Sequence, residues 1–267
     1  MARVLVTNDD GVHAAGILAL SVALAEAGHD VTVAAPLDDR SGSGAALGPG
    51  HSSGLKLERL QLDGLDDVPV FGLDGPPGMC VMAAHLGAFG ERPDVIASGI
   101  NLGGNTGRSI LFSGTVGAAL AAANFGLRGI AVSQSLSDPW LVETGAAYGV
   151  AAVEWALGKP TGSVLNVNVP NLPLDGVLGV RSGRLAPFGV VRTVLEGEVD
   201  GHLLLTLRET DEELDPDTDT SLVNAGYVSV NALVGPRAVD VGDALEVLGD
   251  VQLAGRGAAG EPVVNPR

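Results

Sequence analysis

Apolar positions along the chain fall into short β-branched runs that alternate with longer Ala- and Leu-rich stretches. Arg3–Thr7 and Val31–Ala35 are runs of the first kind, and between them Ala14–Ala27 is a longer stretch that stops at Gly28. A glycine after the last apolar position is a common helix end. The order strand, helix, strand predicts a βαβ unit with parallel strands and a right-handed crossover.

The alternation continues to residue 169 and predicts an α/β fold with a Rossmann-like, doubly wound, mostly parallel sheet. After Pro170–Pro173 the helical pattern stops, and the later apolar runs Leu203–Leu207 and Tyr227–Leu233 are predicted to be strands. We therefore expect a metal- and phosphate-binding core over residues 1–173 and a smaller β-rich C-terminal part over residues 174–267. The other elements predicted in the core are strands Val68–Gly72, Val95–Ser98, Ile130–Ser133 and Val164–Val169 and helices Pro77–Gly87, Val116–Phe125 and Leu141–Leu157.

Two segments lack this pattern. Arg40–Gly54 is rich in Gly, Ser and Ala and is predicted to be a mobile loop. Glu209–Asp219 holds seven acidic residues, the last three of them spaced like the start of a calcium loop. An EF-hand needs Gly at its sixth position and Glu at its twelfth, where this chain has Thr220 and Gly226. We therefore expect a solvated acidic turn for most of this run.

Composition excludes several classes of protein. The 15 Lys and Arg residues against 32 Asp and Glu give a net charge of −17, the wrong sign for gripping the phosphates of polymeric nucleic acid. Small anions are still compatible, because helix N-termini or a bound cation attract phosphate whatever the net charge. A single cysteine, Cys80, excludes an intrachain disulfide and favours a reducing compartment. Without a secretory signal or a long apolar run, we expect a cytoplasmic protein that does not contact membranes.

An acidic pair follows the first predicted strand, at the sheet edge where open parallel sheets bind ligands. Asp9 and Asp10 would repel each other, and a divalent cation held by both relieves that repulsion. A lone aspartate here is most simply a helix cap. Two in succession, preceded by Asn8 and followed by Gly11, favour a metal site.

Two more polar loops follow predicted strands and contain Ser41 and Asn101. If these residues complete the ligand set, every ligand atom is oxygen, which suits Mg²⁺ or Mn²⁺ rather than zinc or copper. Farther on, Ser113-Gly114-Thr115 opens a predicted helix and could hold an anion there. Taken alone, this segment is better explained by an ordinary N-cap. The G-x-x-x-x-G-K-[ST] phosphate loop and the H-E-x-x-H zinc motif are missing from the sequence, and the first βα turn lacks the dinucleotide fingerprint.

In combination these motifs resemble the stationary-phase survival protein family, SurE. The matches are ordered along about residues 3 to 230, which makes their combination specific. They are Leu5–Ala14, Ala35-Pro36 with Arg40–Gly42, Pro93–Val95 with Ser98–Asn101 and Asn105, Ser113–Val116, and Asp217–Asp219 with Gly226–Ser229.

The resemblance implies a divalent-metal-dependent phosphatase of nucleoside 5′- and 3′-monophosphates, with a C-terminal extension used in homodimers or homotetramers. Asp9 and Asp10 would be the catalytic pair, one of them accepting a proton from the attacking water, and Asn8 would orient them from outside. By position, the family's metal ligands fall on Asp9, Asp10, Ser41 and Asn101, and its phosphate-binding residues on Asn105, Ser113, Gly114 and Thr115.

This chain departs from the family pattern beside the expected site. Where the family usually has Gly-Thr-Pro-x-Asp-Cys, Gly75–Cys80 has Pro76 and Met79 in place of the Thr and the Asp. The segment Gly44–Gly48, usually rich in Ser and Thr, is mostly apolar. Two alternatives therefore stay open: a phosphatase of the same mechanism that acts on another phosphorylated metabolite, and a non-catalytic protein that binds metal and nucleotide.

Overall fold

Strands and helices alternate through the first two thirds of the chain, as the apolar pattern predicts. The computed structural model describes residues 1–48, 54–188, 191–209 and 214–236. Its strands are β1 (Arg3–Thr7), β2 (Asp30–Pro36), β3 (Leu57–Leu60), β4 (Val70–Leu73), β5 (Val95–Leu102), β6 (Arg128–Gln134), β7 (Val164–Val169), β8 (Val180–Arg181), β9 (Val191–Val199), β10 (His202–Glu209) and β11 (Val228–Leu233). Its α-helices are α1 (Ala15–Glu26), α2 (Pro77–His85), α3 (Gly114–Asn124), α4 (Val142–Leu157) and α5 (Asp219–Asn224).

Within the described ranges, nine strands form one sheet in the order β3-β4-β2-β1-β5-β6-β7-β11-β8. The six strands from β4 to β7 are parallel, and β3 and β11 pair antiparallel at the two sides of this parallel block. The predicted α/β class with a mostly parallel sheet is therefore confirmed. The strand β3 was not predicted, because four residues of mixed charge and apolarity carry no clear period.

Successive side chains of the central strands point to opposite faces of the sheet. On β1, Val4 and Val6 pack in one apolar cluster and Leu5 in another, and on β5 Ala97 and Ile96 divide in the same way. The first cluster includes apolar residues of α1 and α4, and the second those of α2 and α3. Burial on both faces explains why these strands are almost continuously apolar in sequence.

The chain after residue 173 contributes to two sheets. Strands β8 and β11 extend the main sheet beside β7, whereas β9 and β10 form a separate antiparallel hairpin. The expectation that only strands follow residue 173 is wrong, because α5 is a helix begun by Thr218, whose hydroxyl accepts the Ser221 N–H. Six residues are too few to show a helical period. The division at residues 173 and 174 stays a prediction.

Parts of three predicted regions lie outside the described residues. These are 49–53 of the predicted mobile loop, 210–213 of the acidic run and 237–267 of the C-terminal part. Among the residues that the structure does describe, no helix is long and apolar enough to cross a membrane.

Candidate functional site

The acidic pair lies at the carboxyl edge of two neighbouring parallel strands. In the register of β1 and β5, Thr7 faces Ser98, so the residues that follow each strand emerge side by side. Asp9 follows the end of β1 by two residues, and Asn101 is the last but one residue of β5. The N-terminus of α3 meets them there, so three segments distant in sequence converge at one edge of the sheet.

Asp9 is held against the N-terminus of α3. Its carboxylate accepts the Gly114 N–H at 3.0 Å and the Thr115 hydroxyl at 2.5 Å, and the residue is only 3 % exposed. A Cβ on Gly114 would lie 2.7 Å from Asp9 Oδ2, so only glycine permits this approach. The structure thus brings together a predicted metal ligand and the predicted phosphate-binding segment.

Thr115 connects Asp9 to Asn101. Its hydroxyl lies 3.4 Å from Asn101 Oδ1, while Asn101 Nδ2 donates to the Gly103 carbonyl at 2.7 Å. The amide is thereby oriented with its oxygen toward the Thr115 hydroxyl. The amide oxygen of Asn101 thus lies beside the residue that contacts Asp9, and its role as a metal ligand stays a prediction.

The electrostatics of the acidic pair favour a cation. Burial, then the neighbouring charge of Asp9, then that of Asp39 raise the pKa of Asp10 to about 7. Burial also raises the pKa of Asp9, against hydrogen bonds from Thr115 and Gly114 that lower it. Asp39 was not predicted, although it lies in the loop after β2, which the predicted βαβ unit places beside the loop after β1.

Asn8 supports the turn that carries the pair. Its Nδ2 donates to the Gly11 carbonyl at 3.0 Å, and its Oδ1 is buried with no hydrogen-bond partner among the described residues. No group of three or more His, Cys, Asp and Glu side chains in the described ranges has the arrangement of a metal centre. The donors at the site are two carboxylates with neutral oxygens, a set that fits a hard divalent cation.

Ser41 lies in the adjacent loop but makes different contacts. Its amide and hydroxyl both donate to Asp39 Oδ1, at 2.7 and 2.6 Å, and these bonds lower the pKa of Asp39. The loop is joined to the acidic pair through the backbone, since the Arg40 N–H donates to the Asp9 carbonyl at 2.7 Å. The structure brings Ser41 to the rim of the site, with its hydroxyl directed to Asp39.

Asn105 is fixed by β6 and β7 rather than by the acidic pair. Its side-chain Nδ2 donates to Ser133 Oγ at 2.8 Å, and its backbone N–H donates to Asn168 Oδ1 at 2.8 Å. Its backbone carbonyl accepts from Nδ2 of Asn166 and of Asn168, both at 2.9 Å. Both β7 asparagines are fully buried. They were missed, although two polar residues alternating with apolar ones in a buried strand signal a specific partner.

Ser113 caps α3. Its Oγ accepts the Val116 N–H at 3.1 Å, which is the ordinary N-cap interpretation. A hydroxyl that accepts one hydrogen bond still has its own hydrogen to donate. The cap and a phosphate contact are therefore compatible at this residue.

A buried carboxylate from the C-terminal part fastens the segment that leads into α3. Asp219 is fully buried, and Oδ2 accepts the N–H of Gly107 while Oδ1 accepts those of Ala186 and Thr220, at 2.8 to 2.9 Å. The expectation of a solvated acidic turn therefore does not extend to Asp219. Its signal in the sequence was only its place in the late family motif.

Two helical glycines allow the loop that follows Ser41 to pack closely against α3 and α2. A Cβ on Gly117 of α3 would lie 2.1 Å from the Gly44 carbonyl oxygen, and one on Gly78 of α2 would lie 2.6 Å from that of Ala46. Met79 is 2 % exposed and packs in the core, so this departure from the family pattern does not line a pocket. The altered region lies where the loop rests on α2.

Fold and site together define an α/β protein with an acidic, oxygen-lined site beside a helix N-terminus. The family model described as "Survival protein SurE" matches residues 4–189, and the chain belongs to this family. It is 38% identical over 237 residues to a protein of Cronobacter sakazakii named 5′/3′-nucleotidase SurE, covering 86% of this chain and 89% of the relative. A relative of the same name from Salmonella newport is 39% identical with the same coverage.

A solved structure of the SurE protein from Aquifex aeolicus has the same fold. Its TM-score is 0.72 and its identity 28%, and the match covers 95% of this chain and 99% of that one. The match in structure therefore extends beyond the residues that the family model covers.

Proposed function

We propose that this protein is a divalent-metal-dependent phosphomonoesterase that hydrolyses nucleoside 5′- and 3′-monophosphates to nucleoside and phosphate. The names of the curated relatives support the activity, and the site supports the chemistry. The observation that carries the proposal is the contact of Asp9 with Gly114 and Thr115, because it joins the acidic pair to the helix N-terminus suited to phosphate.

Asp9, Asp10 and the Asn101 amide oxygen would hold Mg²⁺ or Mn²⁺, with Ser41 completing the set if its hydroxyl turns from Asp39. A bound divalent cation polarises a phosphoryl oxygen and lowers the pKa of water at the site. Asp9 and Asp10 are the proposed catalytic residues, and Asn8 positions them through the turn at Gly11.

The chain's own groups bind and orient the phosphate. Its proposed contacts are the Ser113 hydroxyl, the Asn105 amide and the N-terminus of α3, where the donors of Gly114 and Thr115 become available if Asp9 turns from them to the cation. One aspartate accepts a proton from the attacking water as the new P–O bond forms. The ester P–O bond breaks, and the departing nucleoside oxygen takes up a proton.

We further propose a homodimer or homotetramer assembled through the C-terminal part. The hairpin of β9 and β10 exposes Leu195, Leu203 and Leu205 at 60%, 63% and 61%. Contiguous exposed apolar strand residues need a partner surface. For the protein as a whole we propose a cytoplasmic location, with no polymeric nucleic acid or membrane as partner.

A different phosphorylated metabolite is the second candidate substrate. The observation in its favour is the apolar loop beside the site, in which Leu47 packs against the cluster that contains Met79. A loop of this composition offers fewer hydrogen bonds to a polar substrate than a Ser- and Thr-rich one.

The experiment that tests the function is phosphate release by protein stripped of metal and then supplied with Mg²⁺ or Mn²⁺. Substrates are nucleoside 5′- and 3′-monophosphates and a panel of sugar phosphates, with Asp10→Asn as the inactive control. Metal-dependent release from nucleotides that the control lacks supports the proposal. Equal rates for Asp10→Asn and wild type would remove it, and nucleotide binding without release would indicate a non-catalytic protein.

A further inference from the structure

Phe112 has the most exposed aromatic side chain of the protein. The residue is 66% exposed, and its neighbour Leu111 is 71% exposed, whereas the next most exposed aromatic residue, Trp155, is 37% exposed. Aromatic residues are only 3% of this chain. An exposed aromatic ring with an exposed leucine beside it is the kind of apolar surface at which ligands bind.

The two side chains lie immediately before the phosphate-binding segment. Ser113 follows Phe112 directly, and the Gly114 N–H contacts Asp9 at 3.0 Å. Two residues span no more than about 7 Å of chain. The ring therefore lies within the length of a nucleotide from the acidic pair.

The backbone that carries the ring is fixed on both sides. The Phe112 carbonyl accepts the Gly44 N–H at 3.0 Å, and the Ser113 N–H donates to the Ile110 carbonyl at 3.2 Å. A ring on a fixed backbone loses little freedom when a ligand stacks on it. The backbone thus holds the exposed side chains of Leu111 and Phe112 in place before any ligand binds.

We propose that Leu111 and Phe112 form the contact surface for the base of the nucleotide, with Phe112 stacking on its planar face. This inference rests on the proposed function. It assigns a contact for the base, for which the apolar loop Gly44–Gly48 offers no hydrogen-bonding side chains. A planar, uncharged base suits an aromatic ring, and a sugar phosphate has no such face to offer. Stacking also tolerates any base, so it predicts a weak preference among nucleotides.

The test compares AMP with ribose 5-phosphate, which is the same molecule without its base. We expect Phe112→Ala to lower the ratio of kcat/KM for AMP to that for ribose 5-phosphate about 5- to 100-fold, mostly through KM for AMP. Phe112→Trp should retain the ratio. Leu86→Ala is the matched control, because Leu86 is equally exposed, at 73%, at the end of α2.

Each outcome decides between the two proposals. If wild type prefers AMP over ribose 5-phosphate and Phe112→Ala keeps that preference, the base contact is wrong and the nucleotidase proposal stands. If wild type hydrolyses neither compound, the nucleotidase proposal fails, and AMP binding measured by calorimetry with wild type and Phe112→Ala then tests the contact alone. A smaller sedimenting species for Phe112→Ala with an unchanged ratio would show that a second copy covers the ring, and would overturn the inference.

Discussion

The carboxylate of Asp219 accepts the backbone N–H of Gly107 at 2.8 Å, although 112 positions separate the two residues. The contact ties α5 to the 3₁₀ turn Gly107–Phe112, which leads directly into α3. A neighbouring pair of hydroxyls, Thr220 and Thr106, lies 2.8 Å apart and reinforces it. The C-terminal part thereby fixes the entry to the proposed phosphate-binding segment.

Asp219→Asn should destabilise the protein. The side-chain NH₂ of the asparagine would face at least one of the backbone N–H groups that now donate to the carboxylate. Leaving such buried donors unpaired lowers the free energy of unfolding by about 2–3 kcal/mol. Urea unfolding measures this loss. Asp217→Asn is the control, because Asp217 is exposed in its pair with Arg184, and its midpoint should match wild type. Equal midpoints for both variants would contradict the structural role of Asp219.

Thr115→Val should weaken metal-dependent activity with little change in shape. The valine keeps the volume but loses the hydroxyl that donates to Asp9 and approaches Asn101. Without that donor the pKa of Asp9 rises further. Asp9 Oδ1 and Asn101 Oδ1 also lose the hydroxyl that both of them contact. We expect the cation concentration for half-maximal phosphate release to rise about 10- to 100-fold. Thr115→Ser should restore most of the affinity, and a valine variant with wild-type cation dependence would refute this role.

Asp10 should make stability depend on pH when chelator is present. Its pKa is about 7 in the folded protein and near 3.8 when unfolded, so between these values the folded state binds the extra proton. Stability therefore falls as pH rises from about 4 to 7. Because Asp10 is partly exposed, we expect a loss of about 2 kcal/mol, roughly half the full value of the shift.

Chemical unfolding of wild type and Asp10→Asn across this pH range isolates the effect of Asp10. The variant should lose most of the slope, since the other carboxylates are common to both proteins. Parallel curves would mean that Asp10 titrates with an ordinary pKa.

Leu205→Asp should shift the protein to a smaller species. Leu205 pairs with Leu195 across the β9–β10 hairpin, and both are exposed. A charge at this position removes apolar contact area from any assembly that the hairpin supports. Analytical ultracentrifugation measures the change, with Leu86→Asp as the control at a distant exposed leucine. Identical sedimentation of wild type and Leu205→Asp would argue against assembly through the hairpin.

Local pattern predicts the parallel part of this fold well. Strands buried on both faces and Ala-rich helices make long, distinct apolar runs, so β1 to β7 were found, apart from the short edge strand β3. The sequence also predicts that the loops after neighbouring parallel strands meet at one edge, but not that Asp9 accepts the Gly114 N–H there.

Contacts that depend on tertiary structure were not predictable. Asn166 and Asn168 donate to Asn105, and buried Asp219 accepts the Gly107 N–H. In each case the partners are far apart in the sequence, so a local pattern does not reveal the contact. Asp39 and Ser41 form a local pair that the family resemblance alone does not reveal, since it places Ser41 on the metal. Only a fold that brings these loops together shows which partner each side chain takes.

The antiparallel strand β11 has a consequence for the order of events during synthesis. Its partner β7 leaves the ribosome well before β11 does, so the parallel core can form first while one side of β7 is still uncovered. The segment with Asp219 emerges only just ahead of β11. A nascent chain from which Asp219 has not yet emerged therefore holds its acidic pair without the hydrogen bond that positions the 3₁₀ turn before α3.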